Sequence, residues 1–193
     1  MSPDGRERRK QATRRALRAA VLDLGLERGL SDVRVEEITE RAGVSTRTFF
    51  NYFDTKEDAA LLDVLAVPEE ELAALRGTAP VLWDRLGELF GADVERVADD
   101  GSDLSRFMEL QRREPELHSR QMGRFTQFEA RLAAAVAAQL PDDDAGRLQA
   151  HLMSGSCLTA VRVGLDTWAR AGFDGSARPH VEAAFAVLAP AFA

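Results

Sequence analysis

Cysteine is almost missing from this sequence: Cys157 stands alone among 193 residues, which excludes an internal disulfide as a source of stability. Its neighbours Gly155, Ser156, Leu158 and Thr159 read as the inside of a helix, so it is expected to be a small core residue. Histidine is scarce too, and His118, His151 and His180 lie far apart without the paired spacing of metal ligands, so no metal site is expected. No nucleophile, base and metal set has catalytic spacing, so neither an enzyme nor a cofactor is expected. Long apolar runs are lacking: none approaches the about 18 residues of a membrane span. The start, Met1 to Lys10, is polar and basic with no apolar segment behind it, and the expectation is a cytoplasmic protein without membrane attachment. Alternating Val, Ile or Thr runs that would signal strands are also wanting.

What is present is ample apolar material, 45% of the chain against 30% charged, which excludes a disordered protein. The net charge of -7 disfavours nucleic acid only until its distribution is considered. Residues 1–60 hold twelve basic and eleven acidic side chains, whereas the remainder holds 13 and 21. Basic residues crowd the first turns from Arg6 to Arg18, and such a tract is either solvated or in contact with phosphates. An acidic body with a locally basic head suits a protein that touches DNA at one end.

Glycine and proline fall as punctuation, and the pattern between them is helical. Leu17, Val21, Leu24 and Leu26 recur along a first helix from near Arg6 to Gly29, where glycine suits a left-handed stop. Further stripes are Phe125, Phe128, Leu132, Val136 and Leu140; Leu148, Leu152, Leu158, Val161, Leu165 and Trp168; and Val181, Phe185, Leu188 and Phe192. An all-α fold of about nine helices is predicted.

The segment from Val35 to Lys56 reads as two short helices. In the first, Val35 to Ala42, Glu36 and Glu37 sit where the helix dipole favours acids, and Ile38 and Ala42 share a face. Gly43 stops it, Val44 turns inward, and Ser45 can cap a second helix from about Thr46 to Tyr52 with Phe49 and Phe53 toward the core. Two helices joined by a short glycine turn make a helix-turn-helix. Thr46, Arg47, Thr48, Phe50 and Asn51 are then free to face a major groove, where Arg can fork onto guanine, Asn can pair adenine, and Thr or Phe can meet thymine methyls. Thr55, three residues before Asp58, starts the next helix, and Lys56 in its first turn can hold a phosphate.

At these residues the chain resembles the TetR family of regulators. Ala42-Gly-Val-Ser45, Thr48 and Asn51-Tyr52-Phe-x-x-Lys56-Glu57 stand in the family's order and spacing, within a match over about residues 10 to 62. The run Arg47 to Phe53 further resembles an actinobacterial branch, of the mycofactocin-regulator kind, that includes regulators answering acyl-coenzyme A thioesters. Arg34 stands where the family usually has a capping Thr, Thr39 where Ala is frequent, and Phe50 where Tyr is common. The resemblance implies a three-helix helix-turn-helix domain, residues 1–58, and a larger helical ligand-binding and dimerisation domain, residues 59–193. It implies DNA contacts from Arg34, Ser45, Thr46, Arg47, Thr48, Phe50, Asn51, Tyr52 and Lys56, a double-stranded DNA operator, and release by a small-molecule effector.

Dimerisation is expected through the last two helices, about Asp142 to Ala171 and Ala177 to Phe192. Leu158, Val161, Leu165, Phe185 and Leu188 would serve core and partner, and Gly155 and Ala160 would permit close helix approach. Trp83, Phe90, Phe107, Phe125, Phe128 and Trp168, with Arg162, are candidates for an effector pocket, although aromatics at helical spacing are more often plain core. Arg112, Arg113, His118 and Asp166 are candidate polar partners. Few convergent acids between Leu61 and Leu140 favour an apolar or amphipathic effector over a sugar or metal ion. A protein that coats DNA without sequence preference would want basic charge along its length, and residues 61–193 are acidic.

Overall fold

The computed structural model describes residues 3–62, 67–97 and 102–193, and among these every regular element is helical. The all-α expectation holds. Among the described residues there are ten α-helices where about nine were expected; one of them is a short turn, Glu69–Ala73, after Pro68. Gly77, at φ 137, separates that turn from the next helix.

A single division after residue 58 was expected from the sequence, but contacts group the chain into Met1–Leu62 with Asp100–Gln121, and Asp63–Asp99 with Met122–Ala193. The first unit contains α1 (Pro3–Arg28), a 3-10 turn (Leu30–Asp32), α2 (Val35–Arg41), α3 (Thr46–Phe50) and α4 (Lys56–Ala60). To these it adds α7 (Ser102–Arg113) and the first residues of α8 (Pro115–Ala137). Leu17, Val21 and Leu24 bury one face of α1, while Ile38, Phe49, Phe53 and Leu61 complete the core. Helix α7 belongs here because it lies against α1. Leu110 packs where a Cβ on Gly25 would stand, at 3.0 Å, and Arg106 pairs with Asp23 at 2.5 Å.

The second unit contains α5 (Glu69–Ala73), α6 (Ala79–Val97), the rest of α8, α9 (Asp144–Arg170) and α10 (Arg178–Leu188). Asp143 caps α9 by accepting the Gly146 N–H at 2.8 Å. The expected continuation of α10 to Phe192 fails at Pro190, which lacks a donor; a 3-10 turn, Ala189–Ala191, carries Phe192 back into the core instead. Its ring stacks on Trp83 with centroids 4.4 Å apart, and the Trp83 indole N–H donates to the Phe185 carbonyl at 3.0 Å. Burial alone raises the Cys157 thiol well above its ordinary range, consistent with a core residue.

One expectation about α9 needs correcting. Leu148 and Leu152, placed by their spacing on the apolar stripe, are 61% and 58% exposed, whereas Leu165 is 9% exposed inside its own unit. Within the chain, Gly164 of α9 meets Val181 of α10, and Gly155 faces the Glu129 carboxylate. Spacing misled because α9 is apolar on more than one face.

Candidate nucleic-acid interface

The helix-turn-helix is assembled from short-range hydrogen bonds. Arg34 is the N-cap of α2, and since arginine has no acceptor it cannot bond the first-turn amides. Glu37 supplies the reciprocal half of a capping box, its Oε2 accepting the Arg34 N–H at 2.9 Å. Arg28, the last residue of α1, pairs with the same carboxylate at 2.6 Å. The Arg28 hydrogen bond, with the Arg34 amide second, holds Glu37 below the usual carboxylate range. Arg41 returns to Glu27 at 2.6 Å, so both ends of α2 are tied to α1 through charge. These pairs are exposed, and they orient α2 more than they stabilise it.

Gly43, at φ 67, makes the turn. The Val44 N–H then donates to the Thr39 carbonyl at 2.9 Å. Ser45 caps α3 as expected from its type, its Oγ accepting the Thr48 N–H at 3.1 Å and sharing a 2.8 Å hydrogen bond with the Thr48 hydroxyl. Helix α3 ends at Phe50, shorter than expected: the Asn51 backbone N–H is shared between the Arg47 and Thr48 carbonyls, each at 3.2 Å, and the Tyr52 N–H donates to the Phe49 carbonyl at 2.9 Å, so the last turn tightens. Phe49 is fully buried and holds the helix to the core beside Phe53, with ring centroids 5.8 Å apart. That anchoring turns the opposite face outward: Arg47 and Asn51 are exposed, and Phe50 is 55% exposed despite being aromatic. Ser45 and Arg34 are exposed as well; Thr46, Thr48 and Tyr52 are half-buried.

Thr55 caps α4, its hydroxyl accepting the Asp58 N–H at 3.0 Å. The half-buried Lys56 donates through its ammonium to the Ser31 carbonyl at 3.0 Å and the Val33 carbonyl at 2.8 Å. Two of its three N–H donors are thus engaged within the protein, leaving one for a phosphate.

The candidate effector residues do not form one group. Trp83, Phe90 and Phe128 pack in the second unit with Phe185 and Phe192, which sequence reasoning did not single out as part of that cluster. Phe107 is buried in the first unit, and Phe125 is half-buried. Trp168 donates its indole N–H to the Asp174 carbonyl at 3.1 Å and meets Phe173 edge-on. Arg162 is exposed and lies 3.5 Å from Asp166. Sequence reasoning missed Glu114, whose carboxylate accepts the Leu30 N–H at 2.8 Å across 84 residues, a pairing with no local sequence signature.

A capped short helix held by one buried aromatic, presenting Arg, Phe and Asn outward, defines a helix-turn-helix DNA-binding regulator. Residues 17–61 match the family described as bacterial regulatory proteins, tetR family, and residues 84–193 match the MftR C-terminal domain. The chain belongs to the TetR family of transcriptional regulators, and its helix-turn-helix domain is joined to a ligand-binding domain. Members of that family are DNA-binding regulators and not enzymes. It is 35% identical over 147 residues to the HTH-type transcriptional regulator TcmR of Streptomyces glaucescens. That match takes in 71% of this chain and 64% of TcmR, just under two thirds of the relative's length.

Two solved structures share the fold. NalD of Pseudomonas aeruginosa, the secondary repressor of the MexAB-OprM multidrug efflux pump, has a TM-score of 0.57 at 21% identity, over 95% of this chain and 96% of its own. FadR of Bacillus subtilis, solved with stearoyl-CoA, has 0.55 at 17% identity, over 90% and 96%. No helix among the described residues is long and apolar enough to cross a membrane.

Proposed function

We propose that this regulator is a repressor that binds a palindromic operator as a symmetric homodimer and is released by a small, largely apolar effector. The observation that carries the DNA half is the outward face of α3, where Arg47, Phe50 and Asn51 stand exposed around the buried Phe49. Arg47 would read guanine, Asn51 adenine and Phe50 a thymine methyl. Arg34, Ser45, Thr46, Thr48, Tyr52 and the third donor of Lys56 would reach backbone or neighbouring base edges. Dimerisation would use α9 and α10, whose exposed Leu148, Leu152, Val163 and Val187 leave apolar surface that a second copy would cover. Two α3 helices about 34 Å apart would then enter successive major grooves.

An acyl thioester is the first effector class to test. The C-terminal match to the MftR domain and the stearoyl-CoA held by FadR support it. Acting on a bacterial operator places the protein in the cytoplasm. Selection of binding sites from a randomised duplex pool tests the DNA half: a palindrome bound by two protomers is expected, and an asymmetric site bound by one would overturn the reading. Release of that duplex by medium- and long-chain acyl-coenzyme A tests the effector half, and thermal stabilisation without release would count against induction.

A further inference from the structure

The turn between α1 and α2 is held from outside at three points. Residues 30–33 follow Gly29, whose φ of 88 lets the chain leave α1, and only the Val33 N–H to Leu30 carbonyl bond, 3.2 Å, lies within the segment. Lys56 grips the Ser31 and Val33 carbonyls, and Glu114 receives the Leu30 N–H. Glu114 is itself well placed to grip. It sits between α7 and Pro115, its N–H donating to the Leu110 carbonyl at 3.0 Å. Helix α7 is fastened along α1 by Arg106 on Asp23, Leu110 over Gly25 and Arg113 on the Leu26 carbonyl at 3.4 Å. These contacts climb both helices in the same sense and end at the turn.

We infer that Glu114 is a positioning residue for DNA recognition, acting with Lys56 to fix the joint from which α2 and α3 hang. It touches no base and no phosphate. Its acceptor oxygen holds an amide that would otherwise be left without a partner beside the buried Leu30, and a loosened turn would let the α2–α3 pair sample many orientations. Base-specific binding needs one orientation, whereas charge-driven binding to any duplex does not. Removing the acceptor therefore separates the two affinities.

This inference rests on α3 being the DNA-reading helix, so Arg47→Ala is the control. Full-length wild type, Glu114→Ala, Glu114→Gln and Arg47→Ala are titrated by fluorescence anisotropy against the selected operator and against a scrambled duplex over a range of salt. Glu114→Ala is expected to lose about tenfold on the operator, of the order that coupling between distant sites supplies, and to keep its affinity for scrambled DNA. Glu114→Gln, which retains an acceptor oxygen, stays within about twofold of wild type.

Equal losses for Ala and Gln, parallel losses on both duplexes, or full operator affinity in a folded Glu114→Ala protein would each overturn the inference. If Arg47→Ala also binds the operator fully, the reading of α3 fails as well; if only Arg47→Ala loses affinity, that reading stands and this one falls. Should Glu114→Ala not fold, Glu114→Asp decides, because its carboxylate is one methylene short of the Leu30 N–H. An operator loss with unchanged affinity for scrambled DNA supports the joint. Unchanged operator affinity, or a parallel loss on both duplexes, overturns it.

Discussion

The Cα of Val181 lies 2.6 Å from where a Cβ on Gly164 would stand, so α9 and α10 meet with backbone against backbone. Because the obstacle is main chain, it cannot rotate away as a side-chain tip can. Gly164→Ala gains about 1 kcal/mol of helix propensity and incurs overpacking of about 3 kcal/mol, so a net loss near 2 kcal/mol is expected. Urea unfolding measures it, and a variant as stable as wild type would mean that the two helices can part without cost.

Leu152→Glu and Leu165→Glu separate partner surface from core. Leu152 is exposed, so a charge there is expected to give a folded monomer that has lost operator binding. Leu165 is buried, and a charge there unfolds the unit. Sedimentation with circular dichroism tells the outcomes apart; a Leu152→Glu dimer would move the interface elsewhere.

Ser45 does two things with one oxygen, capping α3 and bonding the Thr48 hydroxyl. Ser45→Ala is expected to destabilise the protein by about 1 kcal/mol. Ser45→Asp restores the cap but places a negative charge on a face meant for phosphates, so stability returns and operator affinity does not. Recovery of both would show that this face does not approach DNA.

The raised Cys157 thiol gives the protein a stability slope in alkali. A folded-state value above the unfolded one means that the native protein holds its proton longer. The contribution is therefore complete below the ordinary thiol range, near pH 8.5, and is lost as pH rises through and beyond it. Against Cys157→Ala, wild type is expected to lose up to about 1.4 kcal/mol more per pH unit above that range. Parallel stability curves between pH 8 and 10 would contradict the assignment, as would rapid labelling of the native thiol by an aromatic disulfide reagent.

Local chemistry determined much of this protein from the sequence alone. Gly43, Ser45 and Thr55 are turn and cap residues whose effects reach only three or four positions, and the spacing of Phe49 against Phe50 settles which ring is buried. The all-α class followed for the same reason, since helical periodicity is a local signal. Tertiary structure alone decided which face of α9 is core, because that helix carries apolar side chains around much of its circumference and only its packing partners choose among them. It also decided how Lys56 is held: two carbonyls from another loop lie within 3.0 Å of its ammonium, which leaves one of its three donors for a phosphate. Glu114 is the extreme case. An acceptor and a donor 84 residues apart leave no periodicity between them, and only the laying of α7 along α1 makes them neighbours.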